Sequence, residues 1–207
     1  GSTNTDGLFG NYRCPGSSLI FDGKWGKGTK YYVKKTGNNS ANGLSEGNAW
    51  ATLDHAVKNV PANQDVLILV KSGTYNTNGD INVPLGVSIL GETKSNGDPA
   101  TIFNYTGPGQ KFTKVLALNN IGAKDENGNI EIFDGNQFVK NIHIKGNASN
   151  AGGKRSAAYS GAYRGIMGFQ RSNILIENCI VEDSWESGIR LAGTEWGSND
   201  ALDVKYF

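Results

Sequence analysis

The most constraining feature of this sequence is a repeat of short apolar strands with a period in the twenties. The segment Ser172–Val181 aligns with Ser198–Phe207 at an offset of 26 residues, with the Ser-Asn pair retained. A second strand type, Arg164–Met167, recurs 23 residues later as Ser187–Arg190, and Phe138–Ile144 precedes the first type by 37 residues. A period of this length, built from strands and turns alone, predicts a solenoid in which each coil pairs with its neighbours.

Short strands separated by turn-forming residues make up most of the remaining chain. Glycine accounts for 29 of the 207 residues and proline for only 5, which fits frequent corners and excludes a collagen-like repeat. Because no helical pattern separates the later strands, a doubly wound α/β sheet is excluded. The predicted strands are Lys30–Lys34, Val66–Val70, Ile81–Val83, Val87–Leu90, Thr101–Phe103, Lys114–Leu118, Ile130–Phe133, Phe138–Ile144, Gly165–Phe169, Ile174–Val181, Gly188–Ala192 and Ala201–Phe207.

One segment has the period of an amphipathic helix. Apolar residues recur at helical spacing between Trp50 and Val60. Thr52 is placed as the N-cap, and Pro61 ends the segment. The sequence therefore predicts a single helix on the N-terminal side of the repeat.

The charge balance and the apolar pattern exclude several classes of protein. Twenty basic and 19 acidic side chains leave a net charge of +1, which favours neither nucleic acid nor an anionic membrane as a partner. No apolar run is long enough to predict a membrane span. Cys14 and Cys179 lack the spacing of a metal site, and the sequence leaves their pairing open.

Two parts of the chain resemble a known group of proteins. Tyr31–Val33, Ala49–Leu53 and Asp65–Tyr75 resemble the start of many secreted bacterial β-helix proteins, and Asn178-Cys179 with Gly188–Leu191 resembles the repeat of the right-handed pectate-lyase-like superfamily. The resemblance implies an all-β fold, a right-handed parallel β-helix solenoid with one N-terminal capping α-helix. It also implies a secreted or cell-surface location.

The resemblance divides the chain into two parts. Residues 1–29 are Gly- and Ser-rich without a period, and are predicted to be a tag remnant followed by an irregular lead-in, with a linker remnant as the alternative. Residues 30–207 are predicted to hold the cap and the first coils of the β-helix. Since the chain ends inside an apolar strand at Phe207, we expect the N-terminal portion of a longer protein, able to associate through an exposed C-terminal coil.

Arg190 is the candidate catalytic residue. If Ile166 and Ile189 face the interior, period-two alternation directs Met167 and Arg190 outward. A guanidinium there would hold a uronate carboxylate, or neutralise the charge that develops when the adjacent proton is abstracted.

Two carboxylates adjoin the same strand. Asp183 and Glu186 are candidate ligands of Ca²⁺, which the resemblance implies for lyases of this group. The alternatives are solvated turn residues, or a surface ion pair between one of them and Arg190. Glu186 with Glu195 is a further alternative, as the acid/base pair of a glycoside hydrolase.

The loop Asn147–Tyr163 interrupts the repeat with basic and aromatic residues suited to contacting acidic sugars, and two tryptophans flank the Arg190 strand. The alternatives are a tolerated surface excursion for the loop and burial against turns for the tryptophans. The candidate substrate-binding residues are Lys154, Arg155, Tyr159, Tyr163, Trp185 and Trp196.

Two positions are predicted to be structural. Asn141 and Asn178 align in the repeat and are expected to form an asparagine ladder through their side-chain amides. Cys179 is expected to be a buried, inert thiol in the solenoid interior.

The function favoured by the resemblance is lyase-type β-elimination on an extracellular, acidic polysaccharide, with a Lys or Arg base that the sequence does not identify. One alternative is a non-catalytic carbohydrate-binding or adhesive module with the same fold. The other is a glycoside hydrolase. All three take a polysaccharide or oligosaccharide as partner.

Overall fold

Parallel β-strands dominate the structure, a computed structural model that describes residues 23–120, 122–149 and 158–192. The predicted strand Ala201–Phe207 and the repeat that includes it lie outside these residues. The elements are β1 (Thr29–Val33), α1 (Leu53–Asn59), β2 (Val66–Val70), β3 (Gly73–Thr77), β4 (Ile81–Asn82), β5 (Val87–Gly91), β6 (Thr101–Tyr105), β7 (Lys114–Asn119), β8 (Phe133–Lys140), β9 (Ile142–Lys145), β10 (Arg164–Phe169), β11 (Arg171–Glu177), β12 (Ile180–Glu182) and β13 (Ser187–Ala192).

The strands form three parallel sheets that the chain visits in turn. Sheet A has the order β1-β2-β5-β8-β11, sheet B has β12-β9-β6-β3, and sheet C has β13-β10-β7-β4. The chain therefore makes four circuits through sheets A, B and C, namely β2–β4, β5–β7, β8–β10 and β11–β13. This all-β, parallel arrangement is compatible with a solenoid, and no helix in the described part of the chain is long and apolar enough to cross a membrane.

Strand pairing confirms the registers that the repeat predicts. Ile166 pairs with Ile189 at the offset of 23, and Phe138 pairs with Leu175 at the offset of 37. Ile166 is fully buried as expected, whereas Ile189, in the last described strand, is 46% exposed.

Alternation along each strand builds the interior. In β6 the burial pattern alternates strictly, so that Phe103 and Tyr105 point into the core while Ile102 and Asn104 point outward. Tyr75 of the preceding circuit stacks below Phe103, with ring centroids 5.6 Å apart. The core is therefore a set of columns, each continued by the equivalent residue of the next circuit.

The predicted helix is confirmed and lies at the first-circuit end. The side chain of Thr52 accepts a hydrogen bond from the backbone N–H of His55 at 3.2 Å, as an N-cap does. Leu53, Ala56 and Val57 are buried in the core, and the helix contacts β1 and β4. The helix thus covers apolar side chains that the first circuit would otherwise expose.

The first edge of sheet A is covered by a loop. Trp50 donates its backbone N–H to Tyr32 and accepts from Lys34, each at 2.9 Å, which extends the pairing beyond β1. The backbone of Gly43 packs against the Trp50 ring and has a φ of +71°. A Cβ atom at Gly43 would come within 2.7 Å of that ring. Glycine is therefore required at this contact.

Single asparagines divide two strands that the sequence predicts as continuous. Asn141 and Asn178 have φ values of 59° and 48°, in the left-handed region that ends a strand. The chain accordingly turns from sheet A to sheet B within Phe138–Ile144 and again within Ile174–Val181. The predicted strand Ile130–Phe133 is also wrong, because only an isolated antiparallel bridge involves Ile130 and β8 begins at Phe133.

A partly buried arginine connects all four circuits. The guanidinium of Arg171 donates to the carbonyl of Val83 at 2.7 Å, to the Asn119 carbonyl at 3.3 Å, and to the side-chain oxygens of Asn120 at 2.6 Å and Gln137 at 2.9 Å. Burial lowers the pKa of Arg171 to about 10. These partners belong to successive circuits, so one side chain joins them at the corner between sheets C and A.

The described part of the lead-in is anchored to sheet A. The carboxylate of Asp65 accepts three consecutive backbone N–H groups, from Gly26 at 2.6 Å and from Lys27 and Gly28 at 2.9 Å. Trp25 is buried beside them, at 8% exposure. This segment therefore packs on the outer face of the strands.

Candidate functional site

Four aromatic side chains gather where the chain passes from sheet B to sheet C. They are Phe112, Tyr159, Tyr163 and Trp185, which we name the aromatic corner. Phe112 precedes β7, Tyr163 precedes β10 and Trp185 precedes β13, so three of them occupy related places in successive circuits.

Backbone hydrogen bonds hold these segments in register. Arg164 donates its N–H to the Thr113 carbonyl, and Trp185 donates to the Ala162 carbonyl, each at 2.9 Å. The side chain of Thr113 accepts from the backbone N–H of Tyr163 at 3.0 Å. The pairing that continues the strands therefore also stacks the aromatic residues.

The rings pack closely on one another. Tyr163 and Trp185 stack nearly parallel, with centroids 5.3 Å apart and planes inclined by 14°. Tyr159 meets both at steep angles, at 5.5 Å from Tyr163 and 4.6 Å from Trp185, and Phe112 meets Tyr163 edge-on at 5.7 Å. Each of these geometries is favourable for aromatic pairs.

Two of the four rings are open to solvent. Phe112 is 55% exposed and Tyr159 is 37% exposed, whereas Tyr163 and Trp185 are 6% and 7% exposed. Tyr159 is thus accessible, as a binding residue must be, and Tyr163 and Trp185 support it from beneath. The sequence does not predict Phe112 as a site residue. Phe112 has a φ of 70° and lies in a turn that follows a Gly- and Pro-containing segment, and the pattern of the strands does not specify the shape of that turn.

Two polar atoms beneath the corner lack partners. The indole N–H of Trp185 and the hydroxyl of Ser184 are buried without a hydrogen-bond partner among the residues that the structure describes. Buried polar groups are nearly always paired in folded proteins. Because both atoms are enclosed, they belong to the base of the corner and are not accessible to a ligand on the exposed rings.

An ion-pair cluster adjoins the rings. Glu186 accepts from Nε of Arg164 at 2.5 Å and from a terminal nitrogen of Arg190 at 3.1 Å. Burial raises the pKa of Glu186, but the hydrogen bond and charge of Arg164, with the charge of Arg190, outweigh burial, and the pKa lies below its usual 4.5. Glu186 therefore remains ionised between two guanidinium groups.

Arg164 links this cluster to the rings. Its guanidinium carbon lies 4.9 Å from the Tyr163 ring centroid and 5.9 Å from that of Phe112, within cation–π range. The ammonium nitrogen of Lys111 lies 4.9 Å from the Phe112 centroid. Sequence reasoning did not select Arg164 or Lys111, because their contacts depend on loops from separate circuits.

Arg190 lies on β13 in register with Met167 of β10. Besides its pair with Glu186, its guanidinium carbon lies 5.7 Å from the Phe169 ring centroid. Met167, which the sequence directs outward, is only 1% exposed. Met167, on the outer face of sheet C, is therefore covered by other parts of the chain. Arg190 forms an ion pair with Glu186, which is the alternative role that the sequence leaves open for it.

The predicted Ca²⁺ ligands differ in their surroundings. Asp183 is exposed in a turn with a φ of 52°, while Glu186 is engaged by the two arginines. Within residues 23–120, 122–149 and 158–192, no group of three or more His, Cys, Asp or Glu side chains is arranged to hold a metal ion. Calcium binding by this pair stays a prediction.

The remaining predicted site residues lie outside the described part of the chain. They are Lys154, Arg155, Glu195 and Trp196. Among the described candidates, the fold brings together Tyr159, Tyr163, Trp185, Glu186 and Arg190.

Comparison with known proteins assigns no family. No protein-family model matches the chain, and no curated protein is significantly similar to it. The functional argument therefore depends on the geometry of the corner.

Proposed function

We propose that this chain is part of a secreted or cell-surface, right-handed parallel β-helix protein of the pectate-lyase-like kind, which binds an acidic polysaccharide at the aromatic corner. The observation that carries the proposal is the exposure of Phe112 and Tyr159 above the buried Tyr163–Trp185 stack. Exposed rings held by a rigid base present apolar faces to sugar rings without losing conformational freedom on binding.

The charges at the corner support an acidic ligand. Among the described residues at the corner, Lys111, Arg164 and Arg190 outnumber the carboxylates Asp183 and Glu186 by one charge. Guanidinium and ammonium groups beside an aromatic platform suit the carboxylate or sulfate groups of an acidic sugar.

Binding is the part of the function that the geometry supports best. β-Elimination needs a base, which the sequence does not identify, and the guanidinium of Arg190, expected to neutralise the developing charge, already pairs with Glu186 at 3.1 Å. Lyase activity therefore stays a prediction from the resemblance. It is tested by incubating the protein with the acidic oligosaccharides named below and following the absorbance of unsaturated products.

The proposal is tested by isothermal titration of the protein with polygalacturonate, alginate and hyaluronan oligosaccharides, and with a neutral β-glucan. We expect binding of at least one acidic oligosaccharide and weaker binding of the neutral one. Phe112→Ala and Tyr159→Ala should each weaken binding by roughly 5- to 30-fold, since an aromatic contact contributes about 1–2 kcal/mol.

The matched control is Tyr32→Ala, which removes a partly buried tyrosine from β1 of sheet A. It should leave the affinity unchanged. Equal affinity for the neutral glucan would contradict the acidic ligand, and equal losses in all three variants would contradict the location.

A further inference from the structure

Strand β3 lies at one end of sheet B, and its outer edge is unpaired among the residues that the structure describes. β3 pairs with β6 through odd-numbered residues, because Gly73 donates to the Ala100 carbonyl at 3.1 Å and Thr77 accepts from Thr106 at 2.7 Å. In a parallel ladder the alternate residues then point their N–H and C=O groups to the other side. The backbones of Thr74 and Asn76 accordingly face away from β6, where no strand of the described chain pairs with them.

The other edges at this end are protected. Sheet A has the loop of Trp50 bonded along β1, and sheet C has α1 packed against β4. β3 carries none of the features that usually protect an edge strand, such as lysine, proline or a bulge. Its outward side chains at Thr74 and Asn76 are small, polar and exposed.

A cleft of about 490 Å³ runs beside this edge. One wall is formed by Tyr75–Asp80 and the other by Ala51–Asp54 with Lys58. The floor includes the nearly buried side chains of Leu53, Tyr75, Ile81 and Phe103. An extended chain lying along β3 would place alternate side chains over this floor.

The charges that line the cleft favour an acidic occupant. Asp54 is paired with Lys58 at 2.7 Å, and Asp80 is paired with Lys114 at 2.7 Å. Lys35 lies over the Tyr75 ring at 5.9 Å and has no carboxylate partner among the described residues. A carboxylate on the occupant would complete the charge balance at Lys35.

We propose that the β3 edge is a docking site for an extended peptide segment of another protein, which adds a strand to sheet B and directs an acidic side chain to Lys35. Open sheet edges beside pockets bind peptides in this way, through main-chain hydrogen bonds that supply affinity and pockets that select side chains. The site is separate from the aromatic corner, and it does not depend on carbohydrate binding.

The test uses a six-residue, end-capped peptide in which valine alternates with threonine or glutamate. Amide hydrogen exchange of the full chain is followed by NMR with and without the peptide. We expect exchange at Thr74 and Asn76 to slow at least tenfold, with no change at Tyr75, which already donates to β6. A peptide N-methylated at its edge-facing positions should lose at least tenfold in affinity.

Two protein variants complete the test. Lys35→Glu should weaken binding of the glutamate peptide about tenfold but not that of its glutamine analogue. The control is Lys94→Glu, which changes an exposed lysine of a hairpin that does not line the cleft. It should change neither affinity. Unchanged exchange at Thr74 and Asn76, or full affinity of the N-methylated peptide, would overturn the proposal. Protection of these amides by oligogalacturonate and not by peptide would overturn it in favour of a sugar site.

Discussion

Asn178 donates a hydrogen bond from its side-chain nitrogen to the side-chain oxygen of Asn141, one circuit below it, at 2.9 Å. Asn141 donates in turn to the Gly91 carbonyl at 3.2 Å. The ladder predicted from the alignment of these residues is therefore confirmed. The same two residues also make the left-handed corners between sheets A and B.

Substitution at Asn141 separates these two roles. Asn141→Gly keeps the left-handed backbone and loses the ladder, so we expect a loss of about 1 kcal/mol in the free energy of unfolding. Asn141→Ala should lose about 1 kcal/mol more, because alanine is strained at a φ of 59°. Urea denaturation followed by circular dichroism measures both, and equal losses would contradict a backbone role.

The pairing of Glu186 with Arg164 predicts a dependence of stability on pH. The folded pKa of Glu186 lies below its ordinary 4.5, so the carboxylate stabilises the fold fully above that value and loses its effect as pH falls below it. Glu186→Gln should cost about 1–3 kcal/mol at pH 7, because Arg164 is buried. The difference between wild type and variant should stay constant from pH 7 to 5 and shrink below pH 4.5.

The control for this prediction is Glu126→Gln. Glu126 is an exposed hairpin residue without an ion pair in the described part of the chain. Its replacement should change stability by less than about 0.5 kcal/mol at any of these pH values. Urea midpoints measured from pH 3 to 7 test both variants, and a Glu186 effect that grows towards low pH would be the opposite of the expected sign.

Asp65 should hold the lead-in segment against sheet A. Asp65→Ala removes the acceptor of three backbone N–H groups, at Gly26, Lys27 and Gly28. We expect trypsin to cleave after Lys24 and Lys27 about tenfold faster, which corresponds to about 1.4 kcal/mol of lost anchoring. Limited proteolysis with mass detection measures the rates. Cleavage at unchanged rates would show that Asp65 does not anchor the segment.

The thiol of Cys179 should be inert in the folded protein. Cys179 is partly buried, and desolvation raises the pKa of its thiol to about 11; its sulfur lies 3.5 Å from the Val139 carbonyl. In a Cys14→Ser background, Ellman's reagent at pH 8 should give no rapid reaction until urea unfolds the chain. A thiol that reacts within seconds under native conditions would contradict the raised pKa.

The fold and the site were predictable to different degrees. The helix stripe from Trp50 to Val60 and the spacing of the strands depend on local periodicity, which a sequence shows directly. The corners at Asn141 and Asn178 were missed as strand ends, since apolar residues continue on both sides of them. Only the positive φ of each asparagine reveals the change of sheet.

The candidate site depends on relations that periodicity does not encode. Tyr159 and Trp185 could be chosen from their residue type and their place beside a repeat. Phe112 and Arg164 could not, because their contacts require the loop before β7 to lie against the segment before β10. Loop length and turn geometry determine that approach, and the strand pattern specifies neither.

The position of Arg171 determines how cooperatively the folded chain unfolds. In an array whose units touch only their neighbours, stability is a sum of local contributions, and the terminal units fray first. From the fourth circuit, the guanidinium of Arg171 bonds to groups in each of the other three circuits. Detaching the fourth circuit therefore breaks bonds in the first three as well, and the described circuits should melt in a single cooperative transition.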